Sequence, residues 1–302
     1  MYQNYKWQRR AAWFLAVVFM AGSVQARSWQ DARDTVKETF KVRSGGTLYI
    51  DIDHGNVDIE SSRDDAVSIQ VERIVDTRDR DDIKKILEGH MLSMEQKGND
   101  VRLRSRFEHD RNSWGRWRDG KGFKVRFTIR VPERFNVDFT NGAGNVAIAR
   151  IEGRLEGRTG AGNITVGRVQ GPVDVSSGSG NIDVDGAVGS VRVNSGAGNV
   201  SLGRIEGEVR ANTGAGNIIA HIISQPDGDS RLESGAGNVT VYLDDQVSVY
   251  VDAQASVGSA NCDFPLKVEG RWMSKSFGGR INGGGPELHL RSGVGNVSLK
   301  KQ

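Results

Sequence analysis

From residue 141 onward, apolar and polar positions repeat on a beat of 18. Counted from Asn145, Asn163, Asn181, Asn199 and Asn217, aliphatic residues stand one and three places on: Val146 and Ile148, Ile164 and Val166, Ile182 and Val184, Val200 and Leu202, Ile218 and Ala220. They return six places on (Ile151, Val169, Ala187, Ile205, Ile223) and ten places on (Leu155, Val173, Val191, Val209). Alternation with period two marks a strand with one buried face, and the Val and Ile content suits a strand rather than a helix.

Two corners punctuate each repeat. Gly153, Gly171, Gly189 and Gly207 form the first. The second is the run "TGAGNI" and its variants, in which glycine and asparagine are the residues that tolerate φ > 0. One lap per 18 residues predicts stacked coils, with the side chains of Asn145, Asn163, Asn181, Asn199, Asn217 and Asn238 piled about 4.8 Å apart in a hydrogen-bonded ladder. Later copies are read at Asn261 and Asn296, and Thr159, Ser177, Ser195, Thr213 and Ser234 make a second polar column.

The predicted fold is all-β: a single-stranded right-handed parallel β-helix, a solenoid of 18-residue coils, with a small helix and hairpin insertion. The right hand follows from the handedness of strand crossovers. A left-handed triangular helix would need an apolar residue every six places, which the pattern lacks.

The regular repeats and a C-terminal cap occupy 141–302, and irregular first coils occupy 47–140. Within these, Ile83, Ile86, Leu87, His90, Met91 and Met94 fall at helical spacing and predict a helix over 80–97. The runs "DVRLRSRF" and "FKVRFTIRV" predict a hairpin over 100–132 around a charged loop. Residues 27–46 form an N-terminal segment. Residues 1–26 read as a signal peptide: Lys6, Arg9 and Arg10, then the apolar run from Ala11 to Ala21, then Val24-Gln25-Ala26.

That leader changes the charge balance. The full chain carries 41 basic and 38 acidic residues, and removing the three leader cations leaves 38 of each. A neutral exported protein has no electrostatic case for nucleic acid. The single cysteine, Cys262, excludes an intrachain disulfide and reads as a small buried residue one place after Asn261.

Chemistry is sparse. His54, His90, His109, His221 and His289 have no ligand spacing, so no metal and no cofactor is expected. Calcium-binding rolls place an Asp after the corner, where this chain has Val or Ile, and aliphatics cannot ligate a hard cation. Asp183 and Asp185 on one strand, with Asp174 nearby, are the best carboxylate group. Arg150, Arg168 and Arg204 share one column, and Glu152 and Glu206 another. Trp114 and Trp117 stand among Arg116 and Arg118 in the loop "FEHDRNSWGRWRDGKGF". Aromatics beside arginines on a loop suit contact with sugar, membrane interface or protein, so these four are the candidate binding residues.

The opening "ETFKVRSGGTLYIDIDHGNVDI", the central "KVRFTIRVPERFNVDFTNGAGNVAI" and the closing "GGPELHLRSGVGNVSL" resemble the bacterial DUF4097 family, over about residues 38 to 300. Its members are commonly labelled adhesins. The resemblance implies an exported β-solenoid and assigns no catalytic residue. The expected function is a non-catalytic cell-envelope or surface scaffold. It would sit in the periplasm or at the cell surface and bind envelope polysaccharide, a membrane surface or a protein partner. The alternative is a carbohydrate-active enzyme, a lyase or hydrolase, built on a β-helix.

Overall fold

In the computed structural model the described residues are 32–77, 79–107, 122–266 and 275–302, all within one unit, Asp31–Gln302. Each regular coil contributes one strand to each of two parallel sheets. Ile164–Gln170 lies in the first sheet and Val173–Ser179 in the second, and Ile182–Val188 returns to the first. Two seven-residue strands and two two-residue corners, Gly171-Pro172 and Gly180-Asn181, account for the repeat of 18.

Neighbouring coils pair in register. Ile164, Ile182, Val200, Ile218, Val239 and Val297 form one buried column, linked strand to strand. Burying each such side chain stabilises the stack by about 1.5–3 kcal/mol. Backbone pairing also runs through the corners: Gly162 donates to the Ser179 carbonyl at 2.8 Å and Ile164 to the Asn181 carbonyl at 2.9 Å. At the second corner Gly180 has φ of 148°, and a Cβ there would sit 2.2 Å from the Gly162 carbonyl oxygen. Only glycine fits where the laps approach this closely. In the neighbouring inner column Gly157 leaves the space that the Phe139 ring occupies.

Both ends depart from sequence order. Glu287–Val294 and Val297–Lys301 slot between the coil at 230–243 and the coil at 249–262. Thr47–His54 and Asn56–Ser62 likewise lie between Asn136–Ile148 and an outer lap made of Asp100–Phe107 and Gly122–Pro132. Antiparallel strands then close the stack. Ala66–Asp76 and Ala32–Lys41 close one end of the first sheet, so residues 32–41 of the predicted N-terminal segment are an edge strand. His90–Lys97 and Ser276–Ile281 close the two ends of the second sheet.

Three expectations are corrected. The helix predicted over 80–97 spans only Arg80–Glu88, capped by Asp79, whose carboxylate accepts the Asp81 N–H at 2.9 Å. Residues 90–97 are instead a strand: His90, Leu92 and Met94 turn inward with period two, while His90, Met91 and Met94 also fit a helical beat. The hairpin predicted over 100–132 does not form. Its two strands lie in different sheets, and the hairpin is His90–Lys97 with Asp100–Phe107, turned at Gly98 with φ of 65°. Finally, Asn261 is not a ladder residue and Cys262 is not at the first apolar place. Ala260 pairs with Val297 and Cys262 with Leu299, which puts Ser259 in the asparagine position. Among the described residues, no helix is long and apolar enough to cross a membrane.

Candidate functional site

Trp114, Arg116, Trp117 and Arg118 lie outside the described residues; the strands that carry their loop do not. Phe107 ends one root and Gly122-Phe123 begins the other. The Phe107 ring is stacked between His54 at 4.5 Å and His90 at 4.8 Å, and Phe123 packs edge-on to it at 5.0 Å. Asp53 accepts the Phe107 N–H at 2.9 Å and pairs with Arg106 at 3.0 Å, and Arg106 also pairs with Asp51. Beside this, Arg102 lies 5.0 Å over the Tyr49 ring. The loop base is therefore held by a partly buried aromatic cluster on one side and an ion-paired cluster on the other.

His90 is 5% exposed, and its Nε2 lies 2.7 Å from Ser105 Oγ. Desolvation, then the charges of Arg73 and His54, lower its pKa to about 4, so the imidazole is neutral at pH 7. Burial lowers His54 as well, against the pull of Asp53. Ser105 is 0% exposed, so the Ser–His contact is a packing hydrogen bond rather than a nucleophile in reach of substrate. The sequence reading, which set His90 on a helix and without ligand spacing, missed this role; His90 lies across from Phe107 and diagonal to Ser105, a placement visible only once the strand is recognised.

The six-member asparagine ladder is present; the expected amide-to-amide bond occurs from Asn217 to Asn199 at 3.3 Å and from Asn238 to Asn217 at 3.1 Å, and a second bond runs through every rung. Each side-chain oxygen accepts the backbone N–H of the next asparagine: Asn145 to Asn163, Asn163 to Asn181, Asn181 to Asn199, Asn199 to Asn217 and Asn217 to Asn238, all at 2.9 Å. Asn56 adds a rung before Asn145 and Asn296 one after Asn238. The hydroxyl column is the inner partner. Ser177, Ser195 and Thr213 each donate to the corner glycine carbonyl one lap back, Gly162, Gly180 and Gly198, at 3.0, 3.0 and 2.8 Å.

The candidate carboxylates do not converge. Asp174 lies on the second sheet, 3.6 Å from Arg192, while Asp183 and Asp185 lie on the first. Burial and Asp185 raise the Asp183 pKa. The arginine and glutamate columns meet as pairs of an exposed arginine and a half-buried glutamate, Arg150–Glu152 at 3.3 Å and Arg168–Glu206 at 3.5 Å. On the same sheet His221 stacks on Tyr242 at 4.5 Å with Lys300 5.7 Å beyond, a contact hidden from the sequence by the longer coil between Asn217 and Asn238. Among the described residues, no three His, Cys, Asp or Glu side chains gather as metal ligands.

The family model described as Toastrack DUF4097 matches residues 47–300. No curated protein matches. A Bacteroides fragilis structure provisionally named an adhesin aligns at 15% identity, covering 91% of this chain and all of its own, with a TM-score of 0.46. A Clostridium sporogenes structure provisionally named a cell adhesion protein aligns at 15% identity over 89% of this chain and all of its own, with a TM-score of 0.29. A Parabacteroides distasonis structure provisionally named a lipid binding protein aligns at 10% identity over 87% and 96%, with a TM-score of 0.27. All three scores fall below 0.5, and family membership rests on the match over residues 47–300.

Proposed function

Because the chain belongs to the Toastrack DUF4097 family, we propose that it is an exported, non-catalytic solenoid of the cell envelope or surface. In this reading it holds a partner, envelope polysaccharide first, on the loop bearing Trp114, Arg116, Trp117 and Arg118. The observation that supports this is the rigid footing of that loop: Phe107 is clamped between two imidazoles and pinned by Asp53. A contact loop gains affinity when its base is preorganised, because less ordering entropy is lost on binding. Export rests on the leader-like residues 1–26.

The test is a glycan array with the wild type and a Trp114→Ala/Trp117→Ala variant, with fractionation of the tagged protein. Binding that the double variant loses without any turnover supports the reading. Product release that collapses in Asp183→Asn would replace it with the enzymatic alternative.

A further inference from the structure

We propose that the outer face of the second sheet pairs two copies of this chain, face to face, about a two-fold axis through the middle of that sheet. The argument is the order of charges on that face. In register on adjacent parallel strands stand Asp138, Glu156, Asp174, Arg192, Arg210 and Arg231. Three acids are followed by three arginines, one per strand, about 4.8 Å apart. Like charges directly opposite on neighbouring strands are unfavourable. Asp138 shows the crowding: burial first, and then Glu156, raise its pKa.

The twelve-stranded sheet has its midpoint between the strands bearing Asp174 and Arg192. An isologous pair sets residue i on j and j on i. Turned about an axis along the strands at that midpoint, Asp174 of one copy meets Arg192 of the other, Glu156 meets Arg210, and Asp138 meets Arg231. The neighbouring column, nearer the first corner, agrees: Arg154 meets Glu208. Further out, Asp51 meets Arg291 and Arg102 meets Asp252, as the strand order requires. The sole like-charged meeting on these columns is Lys97 with Arg280, on the outermost strands, where sheet twist has carried the faces apart. Sliding one copy by a single strand sets Asp174 on Asp174 or Arg192 on Arg192, so charge also fixes the register.

The face is open for this. Glu156, Asp174, Arg192, Arg210 and Arg231 are exposed. Their internal pairs are solvated: Arg192–Asp174 at 3.6 Å and Arg210–Glu208 at 3.8 Å are long, and Arg231–Glu233 is a hydrogen-bonded pair at 3.3 Å. Exposed pairs of this kind are worth about 0–1 kcal/mol and exchange readily for contacts across an interface. A trough of about 260 Å³ centred on Pro172, Asp174, Ser190 and Arg192 gives the arginine side chains room. Twelve strands at about 4.8 Å and five residues at about 3.3 Å present on the order of 950 Å² per copy. Twist confines close contact to roughly half of that, which makes a weak, salt-sensitive dimer.

The experiment is sedimentation velocity on the chain freed of its leader, residues 27–302, at about 0.02 M and about 0.5 M salt, where the screening length differs several-fold. The wild type should dimerise at low salt and dissociate at high salt. Glu156→Arg/Asp174→Arg should be monomeric, and so should Arg192→Glu/Arg210→Glu, each with association weakened at least about 100-fold. An equimolar mixture of the two should form heterodimers, and a chain carrying all four reversals should dimerise again. Far-UV circular dichroism checks that each variant is folded. A wild type that stays monomeric at low salt overturns the proposal, as do single-sign variants that dimerise like the wild type, or folded variants that fail to rescue each other.

Discussion

The side-chain oxygen of Asn181 accepts the backbone N–H of Asn199 at 2.9 Å, one lap further along the stack. At this corner the peptide bends out of the strand ladder, and the asparagine amide supplies the acceptor that a neighbouring carbonyl no longer can. The same bond recurs from Asn56 to Asn296. It ends at Ser259, whose N–H and hydroxyl both donate to Asn296 at 3.0 and 2.9 Å. The final rung has no further coil to accept from, so a small donor suffices there.

Asparagine rather than aspartate follows from the spacing. Aspartate keeps the acceptor but would pile carboxylates about 4.8 Å apart. Asn181→Ala should cost about 0.5–1.5 kcal/mol in urea unfolding at neutral pH. Asn163→Asp/Asn181→Asp/Asn199→Asp should lose several times that at pH 7 and recover as the pH falls through the carboxylate range, since protonation removes the repulsion. A triple variant with no pH-dependent recovery would show that charge is not what selects asparagine.

Gly180 should tolerate no side chain. Its φ of 148°, and a carbonyl oxygen 2.2 Å from where a Cβ would stand, leave backbone, not a flexible side chain, to move. Gly180→Ala is expected to lose at least about 2 kcal/mol, whereas Gly45→Ala, where nothing lies within 4 Å, carries only the backbone cost of φ of 85°. Chemical denaturation of both variants gives the comparison.

Ser195 is buried and ties the Gly180 carbonyl to its own lap. Ser195→Ala should cost about 1–3 kcal/mol, because the carbonyl loses its hydroxyl partner. Ser195→Thr should retain most of it, since Thr213 fills the equivalent place with the same bond. Thermal melts of the two separate hydrogen bonding from volume.

His90 gives a pH dependence of definite sign. Its native pKa is about 4 against an ordinary 6.5, so the unfolded chain binds the proton more readily between those values. Stability is therefore full above pH 6.5 and falls as pH drops toward 4, by about 3 kcal/mol in all. His54, Asp53, Arg73 and Asp34 are the charged or titratable groups acting on it. His90→Gln should lose about 2–3 kcal/mol less than wild type between pH 7 and pH 4.5. Equal losses in urea titrations would remove His90 from the account.

The stack itself was legible because an 18-residue period leaves an unmistakable trace: Asn145 to Asn217 never slip, and Val and Ile alternate beside them. The ends were not. Nothing local in "ELHLRSGVGNVSL" says that it inserts between two earlier coils, because each coil presents the same ladder to any neighbour. "HMLSMEQK" satisfies two periods at once, and only pairing with Asp100–Phe107 decides for the strand. The charge order from Asp138 to Arg231 was also hidden, since those residues are 18 or 21 apart and align only after folding.

The most direct test of the coil is deletion. Removing residues 182–199 takes out one complete lap and joins Asn181 to Val200, with every buried column intact. Removing 182–190 takes out half a lap and joins Asn181 to Val191, which sends a second-sheet strand into the first. Thermal unfolding followed by circular dichroism should show the full-lap deletion folded and cooperative, melting near the wild type, and the half-lap deletion unfolded or aggregated. Two deletions that behave alike would contradict the eighteen-residue lap.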